Sequence, residues 1–333
     1  VVVTTAGRSE DGQGDECSDE RTETQKRVHE DGRLTAPGPM TTAARRPHLC
    51  SGSHPSVPQP PQGVVDLLEQ SPKRQRFAAS LWRSGLGREV VVHWRELPEA
   101  LGLTDRELVS FVGGGGKTTG LFALAATRPG PTVITTTTKM GRDRTGGLPV
   151  LIDPSDAEVA AATEKGSIIV WGDADEHRAT GVTVDACARY LDLVDTVVVE
   201  ADGSRRRPFK APLDYEPVVP PATTTLVACC GMAALDTPIR EGCHRPERVA
   251  AIVGAGVEDL LTPDRLVQVL LSTEGSAKDR PVSARFAVVL NRVRPEHADL
   301  VTEIRGRIRT VDGSIPVIAL DELTPAELPD VVG

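Results

Sequence analysis

The chain has 333 residues, 39% of them apolar, 26% charged, with a net charge of −9. That length holds one large or two small domains, with a core burying roughly 70–75% of the unfolded surface. The acidic balance argues against nucleic acid as a partner, which calls for a basic face, and 3% aromatic content leaves few rings for stacking on bases.

The chain opens VVVTTAGRSEDG, without the charged-then-apolar layout of a signal peptide, and no run of about 18 apolar residues follows that would span a membrane. Residues 1–88 form one compositional block. SEDGQGDECSDERTETQKRVHEDGR is acidic and polar, and PHLCSGSHPSVPQPPQG is rich in Pro, Ser and Gly. Such composition buries too little apolar surface to offset the entropy of ordering, so a low-complexity, disordered tail is expected there. One amphipathic piece, VVDLLEQSPKRQRFAASLW, has helical spacing. The first residue is Val rather than Met, which fits an upstream start translated literally, with Met40 as a later start. The six cysteines (17, 50, 187, 229, 230 and 243) show no CxxC spacing, so neither a zinc ribbon nor a disulfide framework is expected, and a reducing cytoplasm is.

From about residue 89 strands and helices alternate. ELVSFV (107–112) predicts a strand, followed by four glycines and a helix over KTTGLFALAAT. PTVITTTT (131–138), LPVLID (148–153), SIIVWG (167–172), DTVVVEADG (195–203), TTTLVACCG (223–231), ARFAVVLNRV (284–293) and SIPVIAL (314–320) predict further strands. Helices are predicted over PSDAEVAAATEKG, VDACARYLDLV, TPDRLVQVLLS and EHADLVTEIRGRIR. Continuous Val/Ile/Leu strands separated by helices point to a doubly wound α/β domain over 89–333, with a mainly parallel sheet covered on both faces. Ligand is then expected at the carboxyl ends of the strands.

SFVGGGGKTTG (110–120) is the strongest chemical signal. Glycines without Cβ let successive backbone N–H groups curl toward one anion, and the positive end of the helix dipole adds to them. Gly113, Gly114, Gly115, Gly116, Lys117, Thr118 and Thr119 are therefore the expected nucleotide-binding residues. Lys117 would reach the terminal phosphates, and the Thr118 hydroxyl would hold Mg²⁺. The usual spacing asks for Gly six residues before the lysine, where this chain has Phe111, so a shorter or differently wrapped loop is expected. VVVEADGS (197–204) ends a strand in Glu200 and Asp202. A carboxylate at the end of a neighbouring strand is where phosphate-loop proteins hold Mg²⁺, so Glu200 and Asp202 are candidate metal residues. Asp202 is also a candidate for orienting water, and Gly203 for letting the backbone turn around a terminal phosphate.

Arg205, Arg206, Arg207 and Lys210 follow at once, as a cluster that neutralises phosphate or as a solvated loop. Thr135–Thr138 and Lys139 place hydroxyls and a cation near the same strand ends. VVLNRVRP has Asn291 where guanine-binding proteins place Asn-Lys-x-Asp, but Arg292 and Arg294 stand for the Lys and Asp, so ATP and GTP both stay open. Asn291 reads as a strand cap or a weak base contact. Cys243 and His244 are adjacent on an extended chain and point opposite ways, which argues against a nucleophile–base pair. Cys229 and Cys230 read as small buried hydrophobes.

Taken together, LPEALGL, VSFVGGGGKTT, VITTTTKM, VVVEADGSRRRPFKAP, YEPVVPP, CHRPERVAAIVG, LTPDRLVQVLLSTEG and VVLNRV resemble the YqeC family over about residues 95–320. The family is described as accessory proteins of selenium-dependent molybdenum hydroxylases. The resemblance implies a phosphate-loop NTPase fold, glycine-loop residues at Gly113 to Thr119, and an acidic strand motif at Glu200, Asp202 and Gly203. It also implies Mg²⁺ with ATP or GTP as cofactors, and a molybdenum hydroxylase or its cofactor-maturation proteins as partners. A looser likeness to the acidic strand end of dethiobiotin synthetase-type enzymes favours Glu200 as the metal residue. An NTP-driven maturation factor, a small-molecule kinase or ligase, and a non-hydrolysing nucleotide sensor all remain compatible with these motifs.

Overall fold

The computed structural model describes residues 91–143 and 145–321. The expected tail over residues 1–88, its amphipathic piece, Met40, Cys17 and Cys50 lie outside the described residues.

Eight strands form one sheet: β1 (Glu107–Gly113), β2 (Thr132–Thr136), β4 (Val150–Ile152), β5 (Ile168–Trp171), β8 (Thr196–Glu200), β10 (Thr225–Gly231), β12 (Arg285–Val293) and β13 (Val317–Asp321). Their spatial order is β13-β12-β10-β1-β8-β2-β5-β4, and every adjacent pair is parallel. The acidic strand β8 and the apolar β10 therefore flank β1 on either side. Phe111 is level with Glu200, and Gly113 with Cys229.

Strand residues alternate between the two faces, and helices bury each face. On one side α1 (Leu97–Ala100) and α2 (Lys117–Thr127) cover Val109, Phe111, Ile134, Val198 and Val227. On the other, α3 (Asp156–Thr163) and α4 (Val184–Leu191) cover Leu108, Val133 and Val197. On that same face α6 (Pro246–Val253), α7 (Pro263–Leu271) and α8 (Ala298–Val311) cover Leu226, Val288 and Ala319. This is the α/β architecture with a parallel central sheet that the alternating apolar runs call for. Single 3-10 turns occur at Trp94–Glu96, Met232–Ala234 and Pro295–His297, and α5 is the short helix Ile239–Gly242. Among the described residues no helix is long and apolar enough to cross a membrane.

Two small sheets stand outside the periodic pattern. β3 (Lys139–Gly141), β6 (Asp173–Ala174) and β7 (Arg178–Thr180) make an antiparallel trio beyond the ends of β2 and β5. β9 (Phe209–Lys210) pairs with β11 (Cys243–His244). Strands this short carry no readable period, which is why the sequence pattern passes over them. For the same reason β2 ends at Thr136, whereas the threonine run extends to Thr138. Thr137 turns away, donating its hydroxyl to Val218 O at 2.6 Å.

Candidate phosphate-loop site

The glycine run lies at the carboxyl end of β1 and leads directly into α2. Positive φ at Gly113 (91°), Gly115 (72°) and Gly116 (129°) gives the chain its curl, a conformation open to glycine at little cost. Space is as restrictive as conformation. A Cβ on Gly115 would stand 2.7 Å from Gly231 N, and one on Gly114 would stand 2.7 Å from Arg207 O. A Cβ on Gly116 would meet the Asn291 side chain at 2.8 Å. The loop is thus held against residues 207–209 and the end of β10, with Asn291 packed on it rather than capping a strand. Phe111, the departure from the usual spacing, is fully buried, and its ring occupies the space that a Cβ on Gly120 of α2 would need. Strand β1 and helix α2 therefore close on each other through an aromatic–glycine contact.

Helices α3, α4 and α7 each begin with a side-chain cap, from Ser155, Thr183 and Thr262. Helix α2 starts from Gly116 with no side-chain cap. Its first turn, Lys117–Thr119, thus directs amide groups and the positive dipole end outward from the glycine loop.

Lys117 is 4% exposed and donates to Gly113 O at 2.5 Å. Its ammonium stands 3.2 Å from Asp202 Oδ1 and 4.0 Å from Glu200 Oε1. Burial alone would lower the Lys117 pKa, but the nearby Asp202 and then Glu200 carboxylates outweigh it, so the pKa is raised and the group stays charged. Thr118 faces Glu200 across 3.5 Å, hydroxyl to Oε2. The structure therefore brings Lys117, Thr118, Glu200 and Asp202 together beside the glycine loop, with Thr119 half-buried one residue further along α2.

Asp202 is engaged on both oxygens. Oδ2 accepts the Gly113 N–H at 3.0 Å and pairs with Lys210 Nζ at 3.1 Å, while Oδ1 faces Lys117. Lys210 is 1% exposed and also pairs with Glu216 at 2.7 Å. Glu216 in turn accepts from both terminal guanidinium nitrogens of Arg245. Burial would raise the Glu216 pKa, but Arg245 and Lys210 bring it down to about 2. A buried row of alternating charges thus runs from Lys117 through Asp202, Lys210 and Glu216 to Arg245.

Glu216 escapes sequence reasoning because it lies far from the glycine run along the chain, whereas Arg245 enters it only as a candidate grip, with His244, on an anionic acceptor. The signal for Lys210 is its place between apolar Phe209 and Ala211, an odd setting for a solvated lysine. The basic cluster 205–210 is split by the fold. Lys210 points inward, Arg207 donates to Glu241 O, and exposed Arg206 pairs with Asp143 at 3.6 Å. Gly203 is the exception among the glycines expected at the site. A Cβ there meets nothing within 4 Å, so neither space nor φ demands glycine.

Cys187, Cys229, Cys230 and Cys243 are buried free thiols. Burial pushes the Cys229 and Cys243 thiols up to about 12, which leaves them inert as nucleophiles. His244 is drawn down to about 4 by burial, then by Arg245 and Lys210. Among the described residues no group of three or more His, Cys, Asp or Glu is placed to hold a metal ion by itself. Thr118 and Glu200 remain as a facing hydroxyl–carboxylate pair. That oxygen donor set suits Mg²⁺, which takes one or two protein oxygens and completes its shell with waters and phosphate.

A family model described as YqeC protein matches residues 109–247. The chain is similar to "Uncharacterized protein YqeC" of Escherichia coli (strain K12), with 32% identity over 195 residues, covering 56% of this chain and 75% of that protein. No solved structure matches the chain. The matched span runs from the loop strand β1 through the acidic strand end to the Lys210–Glu216–Arg245 row, and on this footing the chain belongs to the YqeC family.

Proposed function

We propose that the chain is a phosphate-loop protein that binds a magnesium nucleoside triphosphate and hydrolyses it slowly. By its family resemblance, it would do so in the service of maturing selenium-dependent molybdenum hydroxylases. The observation that carries this reading is the placement of Lys117. A charged, buried ammonium stands between two carboxylates, carried by the first residue of an uncapped helix directly after a glycine curl. The strand order supports it too, because the acid-bearing strand adjoins the loop strand.

The amides of Gly115 to Thr119 and the Lys117 ammonium bind the phosphates. An incoming phosphate competes with Asp202 for Lys117, so Asp202 orients that lysine before the ligand arrives and pins the Gly113 amide. Glu200 is the acid open to a metal ion, its side chain 12% exposed against 2% for Asp202. With Thr118 it holds Mg²⁺, which supplies charge neutralisation of the phosphates when bound. Asn291, packed on Gly116, stands at the edge where a base would lie, and without the Asp of the guanine motif it leaves ATP and GTP on equal terms.

Titration of the full chain with ATP and with GTP, each with and without Mg²⁺, tests the reading. Saturable binding that disappears in Lys117→Ala is expected, with phosphate release that needs Mg²⁺. Glu200→Gln should weaken Mg²⁺-dependent binding more than Mg²⁺-free binding. Binding of either nucleotide that is indifferent to Lys117→Ala would overturn the proposal.

A further inference from the structure

Between the acid end of β8 and the short strand β9 the chain makes a tight turn, closed by the Arg207 N–H donating to Ser204 O at 2.9 Å. Its two central residues are both arginines at positive φ, 48° for Arg205 and 64° for Arg206. Positive φ at both centres of a turn ordinarily takes Asn-Gly or Gly-Gly, because a residue with Cβ is strained there. Among the described residues no other two consecutive non-glycine residues share this conformation. Three of the other five positive-φ residues are aspartates, whose short side chains relieve the strain by bonding locally, a relief that arginine lacks. Gly203 stands where neither φ nor space requires it. The chain thus carries its glycine two residues too early for the backbone and keeps two long cations at the strained positions. Strain of this kind clusters at ligand clamps and active sites.

Both stems of the turn are fastened to the glycine loop. On one side Asp202 accepts the Gly113 N–H at 3.0 Å. On the other, Arg207 O and Pro208 O stand 2.7 Å and 2.8 Å from where a Cβ on Gly114 and on Gly115 would be. Consecutive Cα atoms are about 3.8 Å apart, so Arg206 and Arg205 start within about 3.8 Å and 7.6 Å of Arg207. An arginine side chain spans such a distance, so both guanidinium groups have the reach to meet a phosphate on the loop.

The two arginines are weakly engaged. Arg206 meets Asp143 at 3.6 Å with side chains 78% and 65% exposed, a solvated pair that holds little energy and exchanges readily. Arg205 is exposed and forms no ion pair among the described residues, and its charge joins those of Arg245 and Lys210 in keeping the His244 pKa low. Arg207, by contrast, is held by Glu241 O. Within the buried row each cation already has a carboxylate: Lys117 and Lys210 have Asp202, and Arg245 has Glu216. Those groups meet the charge of an entering triphosphate only in part, whereas planar guanidinium forks fit its terminal oxygens.

We propose that Arg205 and Arg206 form a clamp on the terminal phosphate of the bound nucleotide, Arg206 exchanging Asp143 for it, and that the strained turn is retained to present them. The clamp rests on the nucleotide binding proposed above, and makes these two residues the ones that tell a triphosphate from a diphosphate.

Replacing both residues by those the turn prefers, Arg205→Asn with Arg206→Gly, separates binding from folding. The full-length double variant is expected to unfold at or above the temperature of the parent, because strain is relieved. Calorimetric titration with Mg²⁺ then compares the triphosphate that binds the parent, ATP or GTP, with its diphosphate. Each charged hydrogen bond lost should weaken the triphosphate about tenfold, so the double variant should lose about a hundredfold. The diphosphate should change less than about threefold, since it lacks the clamped group. Triphosphate affinity kept by the double variant, or an equal loss for both nucleotides, would overturn the clamp alone, provided Lys117→Ala still abolishes binding. A double variant less stable than the parent would show that the arginines serve the fold, and would overturn it as well. Failure of the parent to bind either triphosphate would remove the nucleotide reading and the clamp together.

Discussion

Lys117 and Asp202 stand 3.2 Å apart with side chains 4% and 2% exposed, which joins the glycine loop to the chain just beyond strand β8 by a buried ion pair. A second lysine, Lys210, reaches the same carboxylate from the short strand β9 at 3.1 Å. Asp202 therefore balances two buried cations at once. Substitution by Asn keeps an acceptor for the Gly113 amide but removes that balance, and breaking a buried ion pair from one side typically costs 3–5 kcal/mol. Because Glu200 and Glu216 remain beside the two lysines, Asp202→Asn is expected to destabilise the chain by about 3 kcal/mol, at the lower end of that range. Urea unfolding followed by circular dichroism measures it, and a loss below about 1 kcal/mol would contradict the balancing role.

The glycines of the site separate by the same measurement. Gly115 combines φ of 72° with a neighbouring backbone atom 2.7 Å from any added Cβ. Overpacking and left-handed strain each cost about 1–3 kcal/mol, so Gly115→Ala should lose about 3 kcal/mol. Gly203→Ala has open space and should stay within about 0.5 kcal/mol of the parent, as surface changes do. Equal losses at the two positions would contradict the packing described for the loop.

At the other end of β1, Glu107 is 1% exposed and is held by Arg285, Thr224, Thr225 and Thr104. Burial raises its pKa, but the hydrogen bonds from Thr224 and Thr104 and then Arg285 outweigh this, and the net direction is down. Arg285 is 41% exposed and stays solvated. Glu107→Gln therefore costs mainly the charged acceptor of the threonine hydroxyls and is expected to lower stability by about 2 kcal/mol, while leaving nucleotide affinity unchanged in conditions where the chain is folded. Thermal unfolding and a nucleotide titration on the same sample would check both halves.

Acid should weaken the fold in two windows. The His244 pKa is lowered from 6.5 to about 4, so the unfolded chain binds this proton more tightly than the folded one. Stability is thereby lost as pH falls from about 6.5 to 4. The Glu216 pKa is lowered from 4.5 to about 2, so its contribution is complete above about 4.5 and is lost as pH falls toward 2. His244→Asn should flatten the upper window and Glu216→Gln the lower one in unfolding free energies measured across pH. The reverse assignment, or no change in either slope, would show that other groups govern the acid limb.

Much of the domain is readable from the chain. Leu108, Val109, Phe111 and Val112 are apolar, interrupted only by Ser110, because β1 is buried on both faces, and β8, β10 and β12 carry similar apolar runs. The start of α2 is legible because four glycines followed by Lys-Thr-Thr cannot continue a strand. Thr262, followed by Pro263, announces α7 as its cap. The juxtaposition of Lys117 with Glu200 is also legible, since an acid ending an apolar strand beside a glycine-loop strand must face it if the two strands adjoin.

Asn291 and Lys210 show where such reading stops. Asn291 sits in a sequence that looks like a failed base-reading motif, and only the neighbouring of β10 and β12 puts its side chain against Gly116. Lys210 belongs to a basic run that reads equally as a phosphate-neutralising cluster or a solvated loop, and only the pairing of β9 with β11 buries it against Asp202 and Glu216.

The chain by itself determined the parallel α/β plan, the glycine curl and the acid opposite it, because each follows from local stereochemistry or from the period of apolar residues. Tertiary structure alone decided which charges are buried together. Asp202, Lys210, Glu216 and Arg245 are brought into one row by contacts between segments distant in sequence, and no local propensity encodes the pairing of groups whose stability depends on leaving water together.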